Sequence, residues 1–194
     1  MACGPVGDDS PLDFFFLGWD RADQVQLFRQ TLDTGSAVQL TGLDPTVSGE
    51  VTDFDVSPDG QTIVFAMATT ELFEYELFLI NADGNDPPQQ LTTGLLGITG
   101  SLDWSPDGTA LLISAGPPND KDIFKLDLTA NIITRLTYGG NNNSPSFSPD
   151  GQYVAYNSLR NGGQADIYII RADGTGERQL TSHPEPDWQP QWEP

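Results

Sequence analysis

Nucleophilic catalysis requires a base beside the nucleophile, usually a histidine. This 194-residue chain has one histidine, His183, in the stretch Thr181-Ser182-His183-Pro184. It has one cysteine, Cys3, so neither an internal disulfide nor a cysteine zinc site can be assembled. No G-x-S-x-G elbow occurs. With 28 acidic residues some carboxylate pair will always be found, so a search for a glycosidase pair carries no weight. The run Asn81-Ala82-Asp83-Gly84-Asn85-Asp86 has the look of a calcium loop but lacks the closing glutamate, and reads as a turn. Catalysis is not expected.

Recognition chemistry is better supplied. Trp19, Asp20 and Arg21, the pair Leu72 and Phe73, Tyr138 and Arg160 fall in segments read as loops. Aromatic and Arg side chains of this kind are enriched at contact hot spots, and apolar loop residues form either an interaction patch or a packed flap. The 28 acids face only 8 basic residues, a net charge of −20. Such a surface repels phosphate backbones, so no nucleic-acid partner is expected. It suits solubility, a salty or extracellular habitat, or attraction of a cation or basic partner. The densest apolar run, Phe14-Phe15-Phe16-Leu17, falls far short of the ~18 residues of a membrane-spanning helix.

Internal repeats must position these residues. SPDG occurs at Ser57–Gly60, Ser105–Gly108 and Ser148–Gly151, and Leu-Thr at Leu40-Thr41, Leu91-Thr92, Leu136-Thr137 and Leu180-Thr181. Both recur about every 45 residues. Two apolar runs lie between each SPDG and the next Leu-Thr, as in Thr62–Ala66 and Leu77–Ile80. Each unit therefore reads as four short strands, A to D. SPDG turns A into B, an Asp-Gly turn such as NADG or RADG follows C, and Leu-Thr ends D. Four strands per unit, repeated, predict an all-β, four-bladed β-propeller of four-stranded antiparallel blades.

The order W/F-SPDG, apolar strand, apolar run with ADG, then QLT resembles the TolB-type propeller repeat. That repeat is also seen in propellers of prolyl-oligopeptidase-like enzymes and the tricorn protease. Gln90-Leu91-Thr92 and Gln179-Leu180-Thr181 match the last element in full; Arg135-Leu136-Thr137 departs by one residue. The resemblance covers residues 12 to 194 and implies an extracytoplasmic location, periplasmic or cell-surface. It is specific for fold and weak for function.

Residues 1–11 read as a flexible lead and 12–194 as a single propeller domain. Its blades are approximately 12–41 plus 187–194, 51–92, 100–137 and 143–181. The first unit lacks strand A, and residues 187–194 align with 142–149 as a strand A with no blade after it. Pairing of Trp188, Gln189, Pro190, Gln191 and Trp192 with the N-terminal blade would close the ring and remove two exposed edges. Two other accounts remain open: donation of this strand to a neighbouring molecule, giving a ring or filament, and a fragment of a longer propeller. Strand A is innermost in a propeller, so Asp55 and Asp103, at equivalent places, are expected near the channel. There they would attract a cation or ordered water, or bond nearby amides and hydroxyls. No other cofactor is expected. A secretory signal has no counterpart in this sequence. Cys3-Gly4 resembles the mature end of a bacterial lipoprotein, which would make Cys3 a lipid anchor; the alternative is an incidental cysteine.

The functional expectation is a non-catalytic extracytoplasmic binding module with a protein partner. The alternatives are a structural protein that assembles with copies of itself, and the accessory propeller of a hydrolase.

Overall fold

A computed structural model describes residues 13–32, 35–42, 49–68, 75–94, 97–98 and 101–193. All their regular structure is β-strand, in four antiparallel sheets. The first sheet has three strands, β1 (Asp13–Trp19), β2 (Val25–Thr31) and β3 (Ala37–Gln39). The second contains β4 (Val51–Val56), β5 (Thr62–Ala68), β6 (Tyr75–Asn81) and β7 (Gln89–Gln90). The third contains β8 (Asp103–Trp104), β9 (Ala110–Ala115), β10 (Asp122–Asp127) and β11 (Ile132–Arg135). The fourth contains β12 (Asn142–Phe147), β13 (Tyr153–Asn161), β14 (Gln164–Arg171) and β15 (Arg178–Gln179). Each sheet is a simple meander, one blade. Among the described residues no helix is long and apolar enough to cross a membrane.

The recurring tetrapeptide is a turn whose side chains stabilise it from within. In each copy the Gly N–H donates to the Ser carbonyl at 2.8 Å, and the Gly takes a φ near +70°, open to glycine at little cost. The Ser hydroxyl donates to the Asp carboxylate at 2.6 Å in all three copies. It also accepts the first amide of the next strand, from Thr62, Ala110 or Tyr153. The Asp-Gly turns follow similar logic: Asp83 and Asp173 accept from Asn85 N and Thr175 N, so these acids serve turn geometry.

Q-L-T is a clasp. The first side chain donates to the Thr carbonyl, from Gln39, Gln90 and Gln179 at 2.7 Å and from Arg135 at 2.9 Å. The Thr hydroxyl accepts the amide of Leu27, Leu77, Ile123 or Ile167 at 2.9 Å, tying strand D to the start of strand C. In the first three blades it also donates to a polar side chain there, Gln26, Glu76 or Asp122. Buried polar groups are thereby satisfied where a blade would otherwise fray.

The core consists of three blade-to-blade layers. Leu27 and Leu40 of the first blade meet Ile63, Phe65 and Phe78 of the second. Val64, Ala66 and Leu77 of the second meet Trp104, Leu111 and Ile113 of the third. Leu112, Ile123 and Leu136 of the third meet Val154, Tyr156 and Tyr168 of the fourth. Alternate residues of each strand thus face successive neighbours, as the period of a strand demands.

Closure differs from the expectation. Within the chain β1 pairs with β2 alone, and residues 187–193 are not in a strand. Asp187 N donates to Ala165 O at 2.8 Å, and Trp192 Nε1 to Ser146 O at 3.0 Å, so the segment is bound along blade four.

Thr137→Val strands the Ile123 amide and removes a donor to buried Asp122. It should cost about 1–3 kcal/mol in urea unfolding. Thr181→Val, at a half-buried site where water can substitute, should cost measurably less. Equal losses would contradict this account of the clasp.

Candidate binding face and central cleft

In each of the second, third and fourth sheets strand A is an edge strand, so its inward amides lack a sheet partner. For the third and fourth sheets the preceding blade supplies one. Asp55 Oδ2 accepts Trp104 N at 3.0 Å, and the Asp55 carbonyl accepts Trp104 Nε1 at 3.2 Å. Asp103 Oδ2 accepts Phe147 N at 2.6 Å. Two residues earlier, Asp53 Oδ2 accepts Leu102 N at 3.1 Å and the amide of Ser101.

These bonds require an unusual backbone. Ser101, Ser144 and Gln189, at equivalent places in successive repeats, have φ of 95°, 53° and 53°. The left-handed region is uncommon for such residues; Ser101 precedes β8, Ser144 sits at the register shift inside β12, and Gln189 lies in the C-terminal segment. Nothing in the residue types signals it.

The strand A segments converge on a cleft of about 470 Å³, lined by Asp53, Ser101, Asp103, Ser144, Gln189 and Gln191 among others. Its wall is rich in hydroxyls, amides and carboxylates; Ser101 Oγ donates to Ser144 Oγ at 3.3 Å. Burial pushes the Asp55 carboxyl up to about 6, against the lowering effect of the Trp104 and Val56 amides. Burial likewise raises Asp103 to about 7, opposed by the Phe147 amide and aided by the Asp55 charge. The carboxylates considered for a channel cation thus bond amides of the next blade. Among the described residues no group of three or more His, Cys, Asp or Glu side chains is placed to hold a metal.

The other candidate residues divide by environment. By the meander, the ends of strands B and D share one face, which carries Trp19, Tyr138, Arg160 and His183. Trp19 is 69% exposed and Tyr138 76%. Asp20 is engaged in its own turn, where its Oδ1 accepts Ala22 N and Gln24 N, while Arg21 is exposed. Arg160 is not a free contact group. Its guanidinium pairs with Glu177 at 2.7 and 3.0 Å and stacks 4.4 Å from the Tyr168 ring centre. Arg160 holds the Glu177 carboxyl below its ordinary range, and burial, then the Glu177 bond, raise the Tyr156 phenol. His183 Nε2 lies 3.2 Å from Asp187 Oδ1 on the surface. Leu72, Phe73 and Cys3 lie outside the described residues.

Sequence reading passed over Arg135. It pairs with Asp122 and places its guanidinium 4.6 Å from the Tyr138 ring centre, bracing that ring on the surface. The available signal was its departure from Gln in the clasp motif.

The repeats, sheets and inter-blade layers define a β-propeller arc. No protein-family model matches the chain. It is 32% identical over 140 residues to an uncharacterized protein of Agrobacterium fabrum, covering 71% of this chain and 46% of that protein. It is 29% identical over 118 residues to the Tol-Pal system protein TolB of Anaeromyxobacter dehalogenans, covering 61% and 26%. The chain thus spans less than half the length of these relatives. A solved structure assigned to TolB of Agrobacterium tumefaciens superposes with a TM-score of 0.71 at 27% identity, over 92% of this chain and 65% of that one. A prolyl endopeptidase at 21% identity, TM-score 0.61, shares the fold alone. In sequence and in fold the chain is similar to the TolB-like β-propellers.

Raised carboxyl values have a consequence for stability. Folded Asp55 and Asp103 hold protons at higher pH than the unfolded chain does, where the value is 3.8. The stability these two groups contribute is therefore full below 3.8 and is lost as pH rises to about 7. Asp103→Asn keeps an acceptor for the Phe147 amide and should flatten that decline in urea unfolding measured across the window. An unchanged slope would count against it.

Proposed function

We propose that this chain is a non-catalytic, protein-binding propeller module of the TolB type that works outside the cytoplasm. The observation that carries the reading is Tyr138, exposed yet held in place by Arg135, on the same face as exposed Trp19. A large aromatic with little freedom left to lose is the kind of group that anchors a protein contact. The acidic surface favours a partner that brings positive charge to this face. The extracytoplasmic location rests on the family relationship.

The relatives named for the Tol-Pal system supply a first ligand to try. Purified Pal protein of Anaeromyxobacter dehalogenans, titrated against the chain and followed by calorimetry, should bind more weakly as salt increases. Trp19→Ala combined with Tyr138→Ala should weaken binding at least tenfold, about 1.4 kcal/mol, with the melting profile unchanged. Failure to bind Pal would sink the Tol–Pal form of this reading. Binding indifferent to the double variant would remove the loop face from it.

A further inference from the structure

The described residues form three blade junctions, and one strand C position recurs at each of them. Leu27, Leu77 and Ile123 each give an amide to a clasp threonine. Two residues further on, Arg29, Leu79 and Lys125 therefore stand at equivalent places. At the first junction Arg29 donates to Ala82 O of the second blade at 3.1 Å. At the third, Lys125 Nζ donates to Ala172 O of the fourth blade at 2.9 Å. Ala82, Leu128 and Ala172 share one turn position, their amides donating to Gln61 O, Thr109 O and Gln152 O. Two junctions thus carry a cation of their own, which reaches a turn carbonyl of the next blade. The middle junction has Leu79 in its place, packed with Leu128 on the apolar layer.

A groove of about 530 Å³ lies at this middle junction, at the SPDG end of the second and third blades. Buried Trp104 and half-buried Leu79 and Leu128 form its apolar floor, and exposed Pro58, Asp59 and Asp107 its rim. Trp104 is fixed by the bond from its Nε1 to Asp55 O at 3.2 Å. Pro58 Cδ lies 3.8 Å from where a Cβ on Gly108 would project, so the two SPDG turns stand side by side. Turn bonds engage one oxygen of each rim acid. Asp59 Oδ1 accepts Ser57 Oγ and Gln61 N, and Asp107 Oδ1 accepts Ser105 Oγ and Thr109 N. Neither Oδ2 accepts a bond among the described residues. The hydroxyl bonds, and then the amide bonds, hold both carboxyls below their ordinary range.

We propose that this groove docks an arginine side chain of a partner protein. Its aliphatic stem lies on Leu79, Leu128 and Pro58, and its guanidinium sits between Asp59 and Asp107. From there it reaches Leu128 O, the carbonyl equivalent to those that Arg29 and Lys125 satisfy within the chain. Charge complementarity selects the occupant: two carboxylates border an apolar floor that lacks the cation found at both flanking junctions. Arginine fits better than lysine, because its planar fork carries five donors for separated acceptors and sheds water more readily. The long stem suits an apolar wall with a charged rim. The groove between the third and fourth blades is an internal comparison. It holds about 410 Å³ and is bordered by Asp107 and Asp150, but Lys125 already supplies its cation. These grooves lie at the opposite end of the blades from Trp19 and Tyr138, so the proposal does not rest on the loop-face reading.

The test is an NMR titration of the ¹⁵N-labelled chain with the peptide acetyl-Gly-Arg-Gly-amide. The Trp104 indole and Gly108 amide signals should shift and saturate, whereas the same peptide with citrulline, a neutral isostere of arginine, should leave them in place. Asp59→Asn with Asp107→Asn keeps Oδ1 for the turns and should weaken binding about tenfold or more. Leu79→Lys gives the middle groove the cation of the third junction and should abolish binding. Should that variant lose the dispersed spectrum of the wild type, the asparagine pair, on the exposed rim, carries the test. Trp19→Ala with Tyr138→Ala should bind the arginine peptide as the wild type does, which separates this result from the Pal titration. The proposal is overturned by equal shifts from the citrulline peptide, or by a folded asparagine pair that binds undiminished. Signals of Trp104 and Gly108 that stay still at the highest soluble peptide concentration overturn it as well.

Discussion

A blade of this protein cannot satisfy itself. Its two faces are apolar, and its innermost strand offers amides that no strand of its own sheet can accept. The junctions of the second blade with the third and of the third with the fourth answer both needs at once: an apolar layer forms between the faces, and side chains of the earlier blade accept amides at the later blade's inner edge. The bonds from Asp53 and Asp55 to Ser101, Leu102 and Trp104, and from Asp103 to Phe147, set the position of the third blade on the second and of the fourth on the third. The propeller is therefore a chain of nearest-neighbour contacts, whose stability accumulates from junction to junction.

That arrangement separates the work of the two ends of each strand. The SPDG end is consumed by internal turn bonds, its Ser and Asp tied to one another and to the next strand. The clasp closes the opposite end from beneath and leaves the loops above it free to vary. Tyr138 and Trp19 stand on this less constrained face, beside a cleft whose walls are polar because strand A turns alternate residues inward. Recognition is built where the repeat makes the fewest demands.

Much of this was legible in the residues because the informative bonds are short in sequence. Ser57 bonds Asp59 two positions away, and Gln90 bonds the carbonyl of Thr92, so motif and contact coincide. The Arg160–Glu177 pair was not legible, because Glu177 lies 17 positions away and the two meet only when β13 and β15 share a sheet. Asp103 lines the cleft and Asp55 does not, and the amide partners of both belong to the next repeat, 49 and 44 positions on. Arg135 was visible only as an exception to a motif.

Leu136 and Leu180 show where the boundary falls. Both stand between a clasp donor and a threonine, and local sequence assigns them the same place at the end of strand D. Sequence by itself determined the blades, because turn geometry, strand period and clasp are all satisfied within one repeat. Only the tertiary structure decided that Leu136 is buried and Leu180 exposed, and that residues 187–192 follow blade four and do not pair with β1. Closure depends on the sum of small rotations between blades, a property of the junctions that no single repeat encodes.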